Sequence, residues 1–342
     1  MPAPATRKYP RVPALDFTKG ALVLIMVLYH WLNYFVSTEG TFYRYLRFLT
    51  PSFIFITGFL ISYVYIANSR TIDAKVPRRL MERGLKILAV FILLNLIRTF
   101  LVPDSRSDLM PYELWAAKDL IATFITGNVS AGANGKAAAF NILVPISYLL
   151  LMSAGLVFMC RFYKYTFHAV CVASLSCIFL LGLNGMEYSS LELVTVGLMG
   201  VILGYISIEK FSALMDHPYL VMAAYLLYLG AITVMNVSYP LQVIGVCANL
   251  MIIYLLGQQG KELGWVRSNI LLLGRYSLVG YIAQIAILQA LYKGLRPLSL
   301  GAAALGISLF AAVALTILTV VILDYARGKI TAVDRFYKAV FA

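Results

Sequence analysis

Charged residues are scarce in this sequence of 342 residues: Asp, Glu, Lys and Arg make up 13% of it, whereas hydrophobic residues make up 61%. Soluble domains are about half apolar and about a quarter charged. The shortage of charge therefore excludes an ordinary soluble domain and indicates an integral membrane protein. The sequence also lacks a small-residue cleavage site after its first apolar run, so we expect that run to remain a membrane helix rather than to be removed as a signal peptide.

Residues that bind metals or form disulfides are also few, with four cysteines and three histidines. The cysteines form no C-x-x-C pair and lie in or beside apolar runs, so we interpret them as core thiols. The sequence contains no zinc ligand set, phosphate-binding loop, G-x-S-x-G motif, dinucleotide fingerprint or nucleic-acid-binding module. The net charge of +13 is what basic loops beside a membrane produce. We therefore expect no metal, no permanently bound cofactor and no nucleic-acid partner.

The long apolar runs predict an all-α polytopic membrane protein with about ten transmembrane helices. Residues 1–342 are predicted to form a single membrane domain, with a short tail at 1–14 and a basic, weakly amphipathic surface tail at 324–342. The least hydrophobic part, residues 103–139, predicts an amphipathic helix at about 112–126. The predicted spans lie at about 15–35, 46–68, 85–102, 140–160, 168–184, 190–208, 218–236, 240–257, 268–290 and 300–323.

The distribution of basic residues predicts the orientation of these spans. If the N-terminus is cytoplasmic, 20 of the 28 Lys and Arg residues lie in or beside cytoplasmic segments, and eight lie outside. The 15 acidic residues divide almost evenly, as eight and seven. An excess of cations alone on one side is what the positive-inside rule produces, so we expect both termini to be cytoplasmic.

A polar stripe runs along the first predicted span. Lys19 and His30 are eleven residues apart, which places them within about 20° of one helix face and separates them by about 16 Å along the axis. Asp16 and Asn33 extend the stripe by one turn at either end. An ionisable residue at membrane depth suggests a functional site. The alternative for His30 is a buried histidine that is hydrogen-bonded between helices and has no chemical role.

The same residues carry a resemblance to a known family. Leu15 to Gly20, Leu-Asp-Phe-Thr-Lys-Gly, followed by His30, resembles the first helix of the acyltransferase family 3 clan. This clan includes glucan-modifying and heparan-alpha-glucosaminide N-acetyltransferase-like branches. Lys19 replaces the commoner arginine, which keeps the charge but removes bidentate recognition. The resemblance implies a catalytic His30, acting as general base or as acyl carrier, together with Lys19 and Asp16.

Two further segments resemble the clan. The second span contains Thr57-Gly58 where the clan has Ser-Gly, although close helix packing also explains such a pair. The late segment Leu-Gly-Arg-Tyr-Ser-Leu resembles a clan motif that is usually followed by a histidine, where this sequence has Gln284. An amide can orient a substrate, but it cannot act as an acid or base. The residues expected to line the site are Asn33, Thr57, Asn95, Asn141, Ser277 and Gln284.

A basic cluster stands at the cytoplasmic entry of the third predicted span. Within it, Arg79, Arg83 and Lys86 share a helical face by their spacing. Such a cluster is expected for orienting charges and for lipid headgroups. It is also suited to clamping the phosphates of coenzyme A, and the clan has a similar segment. The expected donor-binding residues are Arg78, Arg79, Arg83, Lys86 and Arg275.

Together these features favour a membrane acyltransferase. The resemblance implies transfer of an acyl group, most simply acetyl, from cytoplasmic acyl-CoA to a hydroxyl or amine of an extracytoplasmic or lipid-linked glycan, as in polysaccharide O-acetylation. The expected location is a bacterial cytoplasmic (inner) membrane, and the expected partners are acyl-CoA, the glycan or lipid-linked sugar, membrane lipid and a second copy of the chain. The alternatives are a secondary transporter with a membrane-embedded His and Asn site and a non-enzymatic lipid-binding or assembly component.

Cysteines introduced at Ser69 and Ser130 are expected to react with a membrane-impermeant maleimide from opposite sides of the membrane. The expectation follows from the uneven distribution of Lys and Arg, which places residue 69 inside and residue 130 outside. Labelling of intact cells and of inside-out vesicles measures it, in a background without the four native cysteines. Reaction of both positions from one side would contradict the ten-span arrangement.

Overall fold

The computed structural model describes residues 12–37, 40–66, 75–101, 140–160, 162–186, 188–206, 208–235, 237–259, 264–295 and 301–341. Ser69, Ser130 and the amphipathic helix predicted at 112–126 lie outside these ranges. Within them the structure is helical and has no β-strand, as expected for an all-α protein. The α-helices of these ranges are α1 (Pro13–Phe35), α2 (Leu49–Leu60), α3 (Lys75–Leu101), α4 (Leu143–Met159), α5 (Thr166–Leu183), α6 (Ser189–Leu203), α7 (Ile208–Met215), α8 (Pro218–Val234), α9 (Tyr239–Gln259), α10 (Gly264–Arg275), α11 (Ser277–Leu295), α12 (Gly301–Lys329) and α13 (Thr331–Phe341). A 3₁₀ helix precedes α2 at Thr41–Leu46, and a π-helical segment continues α2 at Ile61–Ile66.

Six helical segments of the described ranges are long and apolar enough to cross a membrane. Three shorter apolar helices, α4, α6 and α8, coincide with further predicted spans. Large apolar side chains are exposed on these helices, among them Phe179 of α5 and Leu227 of α8, as expected where lipid tails cover the surface. The structure supports a helical membrane protein, whereas ten spans and cytoplasmic termini stay predictions. The six segments are Pro13–Phe35, Thr41–Ile66, Thr166–Leu183, Tyr239–Gln259, Ser277–Leu295 and Leu305–Lys329.

Helix boundaries depart from the predicted spans near the C-terminus. The predicted ninth span, 268–290, is two helices, because α10 ends at Arg275 and α11 begins at Ser277. Arg275 and Ser277 interrupt the apolar run at this break, but residues 268–290 are apolar enough as a whole to be predicted as one span. The last predicted span ends at residue 323, but α12 continues to Lys329, and the segment predicted as a surface tail contains the helix α13.

The helices group into two compact units, each built from separate stretches of the chain. The first unit comprises Met1–Leu49 and Ser212–Ala326, and the second comprises Thr50–Phe211 and Arg327–Ala342. Helix α12 passes from the first unit into the second. That residues 1–342 act as one domain stays a prediction.

Helix α1 is the centre of the first unit and packs against α9, α10 and α11. It begins at Pro13, whose fixed φ suits the first helical turn. At Gly20 its backbone meets the backbone of α10. A Cβ atom at Gly20 would overlap the carbonyl oxygen of Ile270, and a Cβ atom at Gly274 would overlap that of Asp16. Only glycine permits two helices to approach this closely at both positions.

The other half of α1 is held by a buried aromatic anchor. Val27 and Trp31 form an apolar cluster with Leu288 of α11 and Ala312 of α12. The indole N–H of Trp31 donates a hydrogen bond to the hydroxyl oxygen of Ser308, at 2.8 Å. A buried tryptophan is favourable when its N–H finds such a partner, so this contact fixes α1 against α12.

Small residues also set the packing of the second unit. Helix α6 approaches α2 so closely that a Cβ atom at Gly58 would overlap the carbonyl oxygen of Gly197, and one at Gly200 would overlap that of Phe55. Helix α3 packs along α4 in the same unit. The glycine of the Thr57-Gly58 pair therefore has a packing role that needs no chemistry.

Gly20→Ala is expected to lower the free energy of unfolding by about 1–3 kcal/mol, because the added methyl group meets backbone that cannot rotate away. Thermal unfolding of the detergent-solubilised protein, followed by tryptophan fluorescence, measures the change. Gly230→Ala in α8 is the matched control, because a Cβ atom there meets no atom within 4 Å. The control should be neutral or stabilising by about 0.5–1 kcal/mol. Equal midpoints for the two variants would contradict the backbone contact.

Candidate active site

Asp16 and Lys19 form an ion pair in the first turns of α1. Lys19 Nζ lies 2.7 Å from Asp16 Oδ1, and the two side chains are 19% and 16% exposed. Asp16 also lies in the first helical turn, where the helix dipole favours a negative charge. Since both side chains are largely shielded from solvent, the pair is stronger than an exposed one. An anionic ligand at Lys19 would therefore compete with Asp16 for the ammonium group.

His30 lies among aromatic rings near the other end of α1. Its ring centroid is 5.2 Å from that of Tyr29, in an edge-on arrangement, and 6.4 Å from that of Tyr281 on α11. Tyr29 in turn contacts Tyr43, at a centroid distance of 5.4 Å. His30 is partly exposed, whereas Tyr281 is buried. The arrangement can present an imidazole to a ligand as general base or as nucleophile.

The distance between the two ionisable positions follows from the continuity of α1. The helix is uninterrupted from Pro13 to Phe35, so eleven residues separate Lys19 from His30 along one axis. This spacing corresponds to a rise of about 16 Å, which is too long for a direct hydrogen bond. Lys19 and His30 can therefore share a site only by contacting different parts of a ligand.

The late motif, Leu-Gly-Arg-Tyr-Ser-Leu at residues 273–278, lies beside α1 in the first unit, because Gly274 contacts the α1 backbone. Arg275, which follows it, is exposed, and Ser277 is partly exposed. Between them Tyr276 is buried and donates its hydroxyl to Asp324 Oδ1 of α12, at 2.6 Å. This bond ties the break between α10 and α11 to the end of the long helix.

Three of the residues expected to line the site are satisfied within their own helices. Each donates a hydrogen bond to the backbone carbonyl oxygen four residues earlier, which is the ordinary local solution for a polar side chain in an apolar helix. A structural role explains these contacts, and participation in a site stays a prediction. The bonds are Asn33 Nδ2 to Tyr29 O at 3.1 Å, Thr57 Oγ1 to Phe53 O at 2.8 Å and Asn95 Nδ2 to Phe91 O at 2.9 Å.

Two other amides behave differently. The buried Oδ1 of Asn141, just before α4, accepts no hydrogen bond from the described part of the chain. Gln284 in α11 is wholly buried, and neither its Oε1 nor its Nε2 has a hydrogen-bond partner there. Buried polar atoms in native structures are nearly always paired, so these two positions need an explanation beyond packing.

The basic cluster belongs to the second unit, and its side chains differ in exposure and in their partners. Arg78 Nε lies 2.7 Å from Glu82 Oε1, in an ion pair that is largely exposed and therefore weak. Arg79 and Arg83 are exposed. Lys86 Nζ donates to the backbone carbonyl oxygen of Lys338 in α13, at 3.3 Å. The predicted face of Arg79, Arg83 and Lys86 is thus adjacent to the C-terminal helix.

Helix α13 carries a charge network of its own. The Asp334 carboxylate accepts hydrogen bonds from Arg327, at 3.0 and 2.6 Å, and lies 2.5 Å from Lys338 Nζ. Lys338 and Arg327 together hold the pKa of Asp334 below its usual value. The Arg327 guanidinium also stacks 3.8 Å over the ring of Tyr337, whose pKa is raised by burial. These contacts anchor α13 at the end of α12.

The predicted site residues divide between the two units. Within the described ranges, His, Cys, Asp and Glu side chains form no group of three that could hold a metal ion. The first unit contains Asp16, Lys19, His30, Asn33, Arg275, Ser277 and Gln284. The second unit contains Thr57, Arg78, Arg79, Arg83, Lys86, Asn95 and Asn141.

Similarity to known proteins covers the N-terminal part of the chain. Residues 11–106 match the family model of heparan-alpha-glucosaminide N-acetyltransferase, catalytic. The match includes the stripe on α1, the Thr57-Gly58 pair and the basic cluster, and it ends long before the late motif. It supports a membrane acetyltransferase but does not single out the acyltransferase family 3 clan. No curated protein and no solved structure matches the chain.

Sequence reasoning missed two features beside the predicted site. Asp324 was placed at the start of the surface tail, yet it lies within α12 and accepts the hydrogen bond of Tyr276. An acidic residue in a long apolar helix is a signal that could have found it. The contact between Lys86 and the backbone of Lys338 carries no such signal, because it depends on tertiary packing.

Proposed function

We propose that this protein is a membrane acyltransferase. It moves an acyl group, most simply acetyl, from cytoplasmic acyl-CoA to a hydroxyl or amine of an extracytoplasmic or lipid-linked glycan. The observation that carries the proposal is His30, a partly exposed histidine on an apolar helix, eleven residues beyond the Asp16–Lys19 pair and inside the stretch that matches the acetyltransferase family model. The bacterial cytoplasmic membrane, cytoplasmic termini and self-association belong to the same proposal.

The chemistry is assigned to the first unit. A neutral His30 imidazole removes the proton from the acceptor hydroxyl or amine as that group attacks the thioester carbonyl carbon. The carbon–sulfur bond then breaks, and the thiolate of coenzyme A receives the proton. In the second form of the mechanism, His30 takes the acyl group first and passes it to the acceptor. Lys19, held by Asp16, provides positive charge on the donor side.

Donor binding is assigned to basic side chains that are exposed. The exposed guanidinium groups of Arg79 and Arg83 suit the phosphates of acyl-CoA, because they offer several charged donors. Lys86 and Arg78 already have protein partners, so they contribute mainly through their charge. Arg275 is an exposed cation of the first unit that the proposal also assigns to the donor.

Replacing Arg79 and Arg83 together with Gln is expected to raise the apparent KM for acetyl-CoA about tenfold or more, because each lost charged hydrogen bond costs about 1.5–3 kcal/mol. The KM for the acceptor should not change, because these two residues are assigned to the donor alone. Lys75→Gln, which removes an exposed cation earlier in α3, is the matched control. Poor membrane insertion with unchanged donor affinity would instead support the orienting role of these charges.

His30→Ala is expected to reduce turnover by about 10²–10⁴, the loss typical of a missing acid–base catalyst. The measurement is release of free thiol from acetyl-CoA by the purified protein, which also distinguishes an enzyme from a transporter or a lipid-binding component. His217→Ala is the matched control, because His217 is exposed just before α8. Label retained from radioactive acetyl-CoA without acceptor would indicate the acyl-histidine form. A folded His30→Ala protein with undiminished transfer would refute the assignment.

A further inference from the structure

Gln284 is a wholly buried amide with unsatisfied polar atoms. Its side chain is 0% exposed, and neither Oε1 nor Nε2 forms a hydrogen bond with any residue that the structure describes. An amide that gives up water without gaining a partner is unfavourable, and the penalty is larger in apolar surroundings. The Gln284 side chain therefore has one acceptor oxygen and two N–H donors that a ligand could bind.

Three other amides of the chain avoid this situation by a local bond. Asn33, Asn95 and Asn249 each donate to the carbonyl oxygen four residues earlier, at 3.1, 2.9 and 2.8 Å. Two of them, Asn95 and Asn249, are buried like Gln284. The lack of such a bond at Gln284 is therefore not the general behaviour of amides in these helices.

The contacts of α11 show which way Gln284 faces. A Cβ atom at Gly280 would contact Val23 of α1, and Leu288 belongs to the buried cluster with Val27 and Trp31 of α1. Gln284 lies midway between Gly280 and Leu288, and positions i, i+4 and i+8 follow one helix face. The amide therefore lies on the face of α11 that packs against α1.

The same face leads to His30. Tyr281 precedes Gln284 by three residues, about one helical turn, and its ring lies 6.4 Å from the His30 ring. Tyr281 is buried and His30 is partly exposed. Gln284 therefore lies about one helical turn from the tyrosine whose ring is next to His30.

The chemistry of the amide selects a neutral ligand group. A hydroxyl can donate to Oε1 and accept from Nε2–H at the same time, which satisfies both atoms. An ammonium group offers donors only and would leave the N–H groups unpaired, and a carboxylate would leave the oxygen unpaired. Burial also disfavours an ion that does not bring its own countercharge.

We propose that Gln284 binds a neutral hydroxyl of the sugar acceptor and holds the sugar next to His30. The inference rests on the proposed function, because that function supplies the sugar, and it narrows the acceptor chemistry to a hydroxyl-bearing group at this contact. Gln284 is then an acceptor-binding residue that takes no part in proton transfer. The unfavourable burial of its amide in the unliganded protein is relieved when the sugar binds.

Gln284→Met tests the proposal, because methionine keeps the length of the side chain and removes both polar atoms. The probe is methyl glucoside, used with the purified full-length protein in detergent. It should raise the thermal midpoint of the native protein but not that of the variant. With acetyl-CoA as donor, the KM of the variant for methyl glucoside should be about tenfold higher or more. This is the loss of affinity expected when a hydrogen bond to a buried amide is removed. The KM for acetyl-CoA should not change.

Asn249→Leu is the matched control, since it removes a buried amide of the same unit that already has a partner. It should lower the midpoint of the unliganded protein and leave the sugar response intact, whereas Gln284→Met should leave that midpoint unchanged or raise it. Misfolding or a lower midpoint of unliganded Gln284→Met would overturn the proposal, as would an unchanged sugar response or no response in the native protein. The two proposals can fail separately. If Gln284→Met abolishes the sugar response but the native protein releases no thiol from acetyl-CoA, this inference stands and the acyltransferase function is rejected.

Discussion

Backbone contact between α1 and α10 is the constraint on which the first unit depends. Two glycines, Gly20 and Gly274, face the backbone of the opposite helix, and a methyl group at either would occupy the space of a carbonyl oxygen. The contact brings the N-terminal motif and the late motif together, although about 250 residues of sequence separate them. Since only Tyr276 separates the end of α10 from the start of α11, the same contact also places Tyr281 and Gln284 along α1. Motif glycines that look like markers of chemistry are here markers of helix approach.

Glycines also allow two helices of the second unit to approach closely. Gly58 and Gly200 let the backbones of α2 and α6 meet without an intervening side chain. Arg79 and Arg83 remain exposed on α3, while Lys86 is engaged by the C-terminal helix. The unit thus joins a tightly packed pair of helices to an open basic surface. The glycine contact between α2 and α6 and the exposed cations of α3 therefore lie on different helices.

Hydropathy and spacing predicted the parts of this structure that depend on local sequence. The first span, expected at 15–35, is α1 at 13–35, and the relation between Lys19 and His30 follows from one unbroken helix. The break at Tyr276 was not predicted, although Arg275 and Ser277 on either side of it interrupt the apolar run, and the hydrogen bond of Tyr276 to Asp324 depends on tertiary structure. Thr57 and Asn95 could not be classified from sequence either. Their hydrogen bonds to residues four positions earlier become apparent only once the side-chain directions are known.

Asp334 determines how the attachment of the C-terminal helix α13 responds to pH and to salt. Its lowered pKa means that the carboxylate stabilises the attachment of α13 at any pH above the ordinary aspartate value of about 4, and that this contribution is lost only as the pH falls through the lowered value. Mild acidification would therefore leave the helix in place. Ionic strength has little effect as well, because the paired charges are in contact, at separations well below the Debye length of about 8 Å at physiological salt. The contacts of Asp334 therefore keep α13 attached to the end of α12 at physiological pH and salt, and only salt well above the physiological concentration would weaken them.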